Sequence, residues 1–395
     1  MSMQVVVAGV GAIPFRKPDA GDSYVRMGAE AIALCLQDAG LSYDVVQQAY
    51  AGYVYGDSCA GQRVVYQAGM TAIPIFNVNN NCATGSTALF LARQAVASGA
   101  VECALAVGFE QMRPGAIGNV FTDRESPFDL FDEEADRLAG HAELPIAIRY
   151  FGGAGLAHMR QYGTRLETFA SIRAKASRHA EHNPMAIFRR PLSVEDVMAS
   201  PMLWDGVMTR LMACPPTCGA AASLLCSPAF ARRHGLDMSV VISAQVMTTD
   251  PAIDPATRDM RDVVGAGMAR MAARQVYDQA GIDPRDVDVI ELHDCFAHNE
   301  LITYEALGLC GPGEAERLVS DNDNTYGGAV VVNPSGGLLS KGHPLGATGL
   351  AQCAELAAQL RGIAGARQVE GARLALQHNL GLGGACVVTL FEKVS

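Results

Sequence analysis

A chain of 395 residues with 49% hydrophobic content is too long for one ordinary core and apolar enough to fill several packed layers, so two similar domains or a duplicated fold are expected. Its 30 basic and 41 acidic residues give a formal charge of -11, which argues against a nucleic-acid or anionic-membrane surface and for small-molecule partners, with room for a local basic patch. The start, Met1 to Gly9, has no basic leader, no apolar run of about 18 residues follows, and the eleven cysteines lack framework spacing, so a cytoplasmic protein with reduced thiols is expected.

Val5-Val6-Val7-Ala8 reads as a buried strand running into a glycine turn at Gly9-Val10-Gly11. A dinucleotide-binding reading of that turn fails, because Pro14 stands where the third glycine belongs and Arg16-Lys17-Pro18 follows. Next comes the apolar stretch Ile75 to Val78, then Asn79-Asn80-Asn81-Cys82-Ala83-Thr84-Gly85-Ser86-Thr87, then a helical run from Ala88. A cysteine on a turn that opens a helix sits among unpaired backbone N–H groups, which lower a thiol pKa and can hold an oxyanion. Cys82 is thus a candidate nucleophile, a buried packing thiol being the alternative.

From Asn119 to Thr217 the pattern turns irregular, as in an insertion. Residues 122–143 hold eight acids and two bases, whereas 158–190 hold seven bases against two acids, a local excess of +5. Arg160, Arg165, Arg173, Lys175 and Arg178 are the candidate substrate-binding bases within it, suited to a phosphate-bearing ligand, with a solvated helix face as the alternative. The regular pattern returns with a helix over 268–280, a strand over 287–292, a helix over 347–360 and a strand over 374–377.

The second half carries three further reactive turns. Ser335 to Gly349 is rich in glycine and contains Lys341, but lacks P-loop spacing; within it His343, between Gly342 and Pro344, is placed to serve a thiol as general base. Glu291-Leu292-His293-Asp294-Cys295-Phe296 ends a strand with an imidazole, a carboxylate and a thiol, where sites of α/β proteins form. A zinc site from His293, Cys295 and His298 lacks a paired ligand set, as does the weaker set Cys214, Cys218 and Cys226, so no metal is expected. Gln377-His378-Asn379-Leu380-Gly381 enters a glycine loop whose N–H groups can approach a ligand. Cys82 and His343 each open an Ala/Leu-rich helix, which points to duplicated halves with the site at their junction.

Together these segments resemble the thiolase superfamily, and within it the sterol-carrier-protein-type thiolases. The likeness runs through Gly108-Phe109-Glu110, Asn183-Pro184, Gly219 to Ala222, Asn299-Glu300-Leu301 and His378-Asn379 as well as the turns above. Thr217-Cys218-Gly219 and His298 depart from the usual pattern, which bears on substrate preference more than on chemistry. The resemblance implies an α/β thiolase fold, with duplicated halves in five α-β-α-β-α layers and an inserted loop domain. The halves would be 1–118 with 218–248 and 249–395, and the loop domain 119–217.

It also implies thiolysis of a 3-oxoacyl-CoA with coenzyme A as co-substrate and no bound cofactor. Cys82 would be the nucleophile, His343 the base, His343 and His293 the holders of the thioester oxygen, and Cys295 the acid/base group, with His378, standing where ordinary thiolases hold a second catalytic cysteine, as the alternative for that duty. Asn379, Leu380 and Gly381 would support the second oxyanion site. The expected partners are acyl-CoA and CoA, with a homodimer or dimer of dimers, no nucleic acid and no membrane. The end at Glu392-Lys393-Val394-Ser395 leads one to expect no sterol carrier domain and no peroxisomal signal. An aldol lyase acting with a partner protein, a non-catalytic acyl-CoA or sterol binder, and a condensing synthase are the alternatives.

Overall fold

The computed structural model describes residues 4–20, 22–115, 118 and 120–394. The expectations at residues 1–3, at the Asn119 boundary and at Ser395 lie outside them.

The first half comprises β1 (Val5–Ala12), α1 (Tyr24–Ala39), β2 (Gln48–Gly52), α2 (Ala60–Val65), β3 (Ile75–Val78), α3 (Thr84–Ala97) and β4 (Cys103–Glu110). A largely helical segment follows, with α4 (Asp129–Ala139), α5 (Ile146–Tyr162), α6 (Leu166–His179), α7 (Val194–Met198) and the hairpin β5 (Met202–Trp204) and β6 (Met208–Thr209). The chain returns through β7 (Gly219–Cys226) and α8 (Pro228–His234) to β8 (Val240–Thr248). The rest runs through α9 (Met260–Val263), α10 (Ala266–Ala280), β9 (Val289–Glu291), α11 (Ala297–Ala306), α12 (Ala315–Ser320) and β10 (Val331–Val332). It closes with α13 (Gly337–Ser340), α14 (Thr348–Arg361), β11 (Leu374–Gly381) and β12 (Ala385–Lys393).

Strand order reveals the duplication. One set of five runs β3-β2-β4-β7-β1 and the other β10-β9-β11-β12-β8. In each, the first three strands are parallel and the last two join antiparallel. The sets meet edge to edge where β1 pairs antiparallel with β8, Val5 opposite Ile242 and Val6 opposite Val241. Three apolar cores separate the layers: one under α1 and α2, one around α10 and α11, and a central one in which Leu89 of α3 and Leu350 of α14 pack with Val7, Leu225, Ile242 and Phe391 from both strand sets. This is the α-β-α-β-α sandwich of the thiolase fold, with α3 and α14 side by side in its middle layer.

Two local expectations change. Gly9 and Gly11 do not turn but stay within β1, because a side chain at either would collide with the backbone of α1 at Cys35. The glycines let the helix lie close on the strand. The second change is that β11 does not end at Gln377: its antiparallel ladder with β12 carries it through His378 and Asn379 to Gly381 opposite Ala385, leaving Leu382, Gly383 and Gly384 as the turn.

Candidate active site

Cys82 lies two residues before α3, on a turn shaped by its asparagines. Asn81 adopts φ 49°, its backbone N–H donates to Asn79 Oδ1 (3.0 Å), and its side-chain amide donates to Leu382 O (3.1 Å) on the β11–β12 turn. The Asn80 N–H donates to Thr84 Oγ1 (2.8 Å), locking the entry to the helix. The thiol is 4% exposed and lines a cavity of about 490 Å³ shared with His343, Cys295, Cys214, Arg173, Phe151 and Phe296. Burial, with Glu110 adding to it, pushes the thiol up to about 12 against the pull of the Cys82 and Leu382 N–H groups. The lowered thiol pKa expected from the helix start is therefore overturned: desolvation outweighs the amide field, and the resting group is S–H.

Two histidines, His293 and His343, meet this thiol from the other half, and His378 stands behind His293. His343 follows α13, its ring 5.0 Å from that of His293 and perpendicular to it. One ligand atom each of Cys82, His293 and His343 lie within 4.8 Å of one another. The Nε2 atoms of His343, His293 and His378 are buried without a partner among the described residues. The far sides of the rings assign their protons. Thr348 Oγ1 donates to Pro344 O (3.0 Å) and accepts from His343 Nδ1 (2.7 Å), so the His343 Nε2 is a bare acceptor. Asn379 Nδ2 donates to His293 Nδ1 (3.1 Å), and the His293 N–H donates to His378 Nδ1 (3.4 Å), so both of those rings present Nε2–H donors. Burial pulls His343 and His378 down to about 3 and His293 well below its ordinary value. The thiol and the three rings rest uncharged, with the His343 acceptor and the His293 donor beside the thiol.

Cys295 follows β9, 4% exposed, its thiol held protonated by burial and by the neighbouring Cys214 and Cys82. Cys214 N donates to Cys295 O (2.8 Å), tying the helical insertion to this strand end. His298 belongs elsewhere: its Nε2 contacts Val207 O (2.8 Å) and its ring stacks on Phe169, so it does not join His293 and Cys295 in a metal set. The Cys82, His293 and His343 atoms are the group whose spacing would admit a soft divalent ion such as zinc.

The basic set divides. Arg160, Arg165 and Arg178 are exposed, and Arg165 pairs with Glu316 (2.7 Å). Lys175 is buried against Glu300, and Arg173 is buried in the cavity lining. The five do not form one surface patch; burial, which charge spacing does not report, separates them. Sequence reading also stopped short of Leu382. Its N–H approaches the Cys82 thiol, whereas Leu380 and Gly381, named for that duty, are paired in β11 opposite Cys386 and Ala385. Thr348 and Arg210 went unnamed as well; the first is signalled only by its position five residues after His343, the second by nothing in the motif pattern.

Residues 5–125 fit the thiolase N-terminal domain and residues 253–391 the thiolase C-terminal domain-like family. Human sterol carrier protein 2 is 52% identical over 98% of this chain and 72% of its own length. The chain belongs to the thiolase family. The acetyl-CoA acetyltransferase of Methanothermobacter thermautotrophicus, a thiolase relative, is 34% identical over 94% of this chain and 95% of its own. Among solved structures, an Ltp2-ChsH2(DUF35) aldolase superposes with a TM-score of 0.82 at 21% identity, covering 99% of this chain and 98% of that one. Human mitochondrial 3-ketoacyl-CoA thiolase in complex with CoA superposes with a TM-score of 0.75 at 19% identity, covering 100% and 98%. These two share the thiolase fold with it.

Proposed function

We propose that this thiolase-family protein is an acyltransferase that cleaves 3-oxoacyl-CoA with coenzyme A, through an acyl-enzyme on Cys82. The observation that carries the reading is the cluster of the Cys82 thiol, the bare His343 Nε2 and the Nε2–H donor of His293, with Cys82, His343 and Cys295 lining one cavity. Cys82 passes its proton to His343 Nε2 as sulfur adds to the 3-keto carbon, and the resulting alkoxide is held by the Cys82 and Leu382 N–H groups. Its collapse breaks the C2–C3 bond and leaves the electron pair on C2. The enolate oxygen so formed is held by His293 and by His343, now a donor, while Cys295 protonates C2. The thiol of coenzyme A then gives its proton to the Cys295 thiolate and attacks the acyl carbonyl, and the expelled Cys82 sulfur takes back the proton that His343 carries.

The fold shared with an aldolase does not carry that chemistry, since the intact Cys82, His343 and Cys295 supply what thiolysis needs. Of partners, CoA and acyl-CoA follow from the reading, and a second copy is proposed at the β3 edge, where Phe76 is 46% exposed. No described helix is long and apolar enough to cross a membrane. The test is CoA-dependent loss of enolate absorbance from acetoacetyl, medium-chain, long-chain and 2-methyl-branched 3-oxoacyl-CoA. Turnover by the native protein and none by Cys82→Ala is expected; equal turnover by both refutes the nucleophile.

A further inference from the structure

We propose that Arg173 is a specificity-determining residue that receives a carboxylate at the far end of the acyl chain, making ω-carboxy-3-oxoacyl-CoA the preferred substrate class. The inference rests on the thiolysis reading.

Arg173 projects from α6 into the lining of the cavity that holds Cys82 and His343, and is 2% exposed. Its one protein hydrogen bond among the described residues runs from Nη1 to Ser340 Oγ (2.7 Å), and no carboxylate oxygen lies within 4.0 Å of it. The adjacent buried cations are already matched, Lys175 by Glu300 and Lys341 by Glu291 (3.2 Å). The remaining acid, Asp294, accepts the Leu338 N–H (2.7 Å) and the Leu339 N–H (3.4 Å) instead of pairing with Arg173.

Burial pulls the guanidinium down to about 10, which still leaves a cation. A buried cation with unused donors and no carboxylate within salt-bridge reach, Asp294 acting on it only from farther off, is costly unless a ligand supplies a closer anion. Phe151, Phe188 and Leu339, which line the same cavity, give it the apolar wall an alkyl chain requires. A carboxylate at the chain's end would reach the fork of donors that guanidinium presents. The phosphates of CoA are the other anion available; Arg210, exposed at the same cavity, is the better placed base for them.

The experiment compares kcat/KM for 3-oxoacyl-CoA and its ω-carboxy counterpart at matched chain lengths, as a ratio within each of the native protein, Arg173→Met and Arg173→Lys. Calorimetric binding of the corresponding saturated acyl-CoA and ω-carboxyacyl-CoA accompanies it. The native ratio should favour the carboxylate at one or more lengths by roughly 10-fold to 100-fold, fall to unity or below in Arg173→Met, and lie between in Arg173→Lys. A ratio at or below unity in the native protein, or one that Arg173→Met leaves unmoved because both substrates weaken alike through CoA, overturns the assignment. Retained binding preference without turnover of either series would refute thiolysis while upholding the carboxylate site.

Discussion

At the scale of single residues, the site works from neutrality. A thiol near 12 and an imidazole near 3 do not form a resting thiolate–imidazolium pair, so Cys82 becomes nucleophilic only as substrate arrives and His343 takes the proton. The thiolate fraction of the free protein should then rise about tenfold per pH unit through the whole neutral range. Inactivation by iodoacetamide measured between about pH 6 and 9 should follow that slope without a plateau; a plateau near neutrality would reveal an activated thiolate. Thr348 holds His343 in the accepting tautomer, and Thr348→Val should lower kcat on the order of 100-fold with little change in KM. Cys295→Ala should still accept acyl label at Cys82 yet exchange the α-protons of acetyl-CoA far more slowly, read by deuterium uptake. Cys82, His293 and His343, which lie within 4.8 Å of one another, were legible as candidates in the sequence because each sits in a dense motif. Leu382 was not, because its role depends on where the β11–β12 ladder lets the chain turn, and Arg173 was grouped with surface bases because spacing says nothing of burial.

At the scale of elements, the two halves are pinned together by groups that do no chemistry. Glu110 at the end of β4 accepts from Val54 N, Tyr55 N and Gly346 N, each at 3.0 Å, so one carboxylate ties the loop after β2 to the turn that carries His343. Glu110→Gln must turn an amide donor toward one of these N–H groups and should cost about 1–3 kcal/mol in chemical denaturation. Burial raises this carboxyl to about 7. Its folded pKa exceeds the ordinary carboxylate value, so its contribution is complete below that value and is lost as pH rises through about 7. The melting temperature should fall between about pH 5 and 8, and fall less steeply in Glu110→Gln. Gly349, at the start of α14, faces Ser86 of α3 so closely that any side chain would strike it. The repeated helix start was visible in the sequence; this crossing, which brings Cys82 and His343 together, was not.

At the scale of the molecule, the repeat of five strands was foreshadowed by alternating patterns and by length, while the edge-to-edge joining of the halves through two residue pairs of β1 and β8 was not. One outer edge, β3, is open, with Phe76 exposed on it and with Tyr66 (45%) and Met70 (79%) exposed in the segment before it. Such an apolar edge invites pairing with a second copy. Light scattering should give twice the chain's mass, and Phe76→Lys should shift it toward one chain; a native monomer would dismiss that interface.

The central claim is that Cys82 carries the acyl group. The most direct measurement is intact-protein and peptide mass spectrometry after brief incubation with acetoacetyl-CoA in the absence of free CoA. An acetyl adduct is expected on the peptide containing Cys82, discharged by CoA and absent from Cys82→Ala. An adduct on Cys295 or Cys214 instead, or turnover by a protein that never bears one, would contradict it.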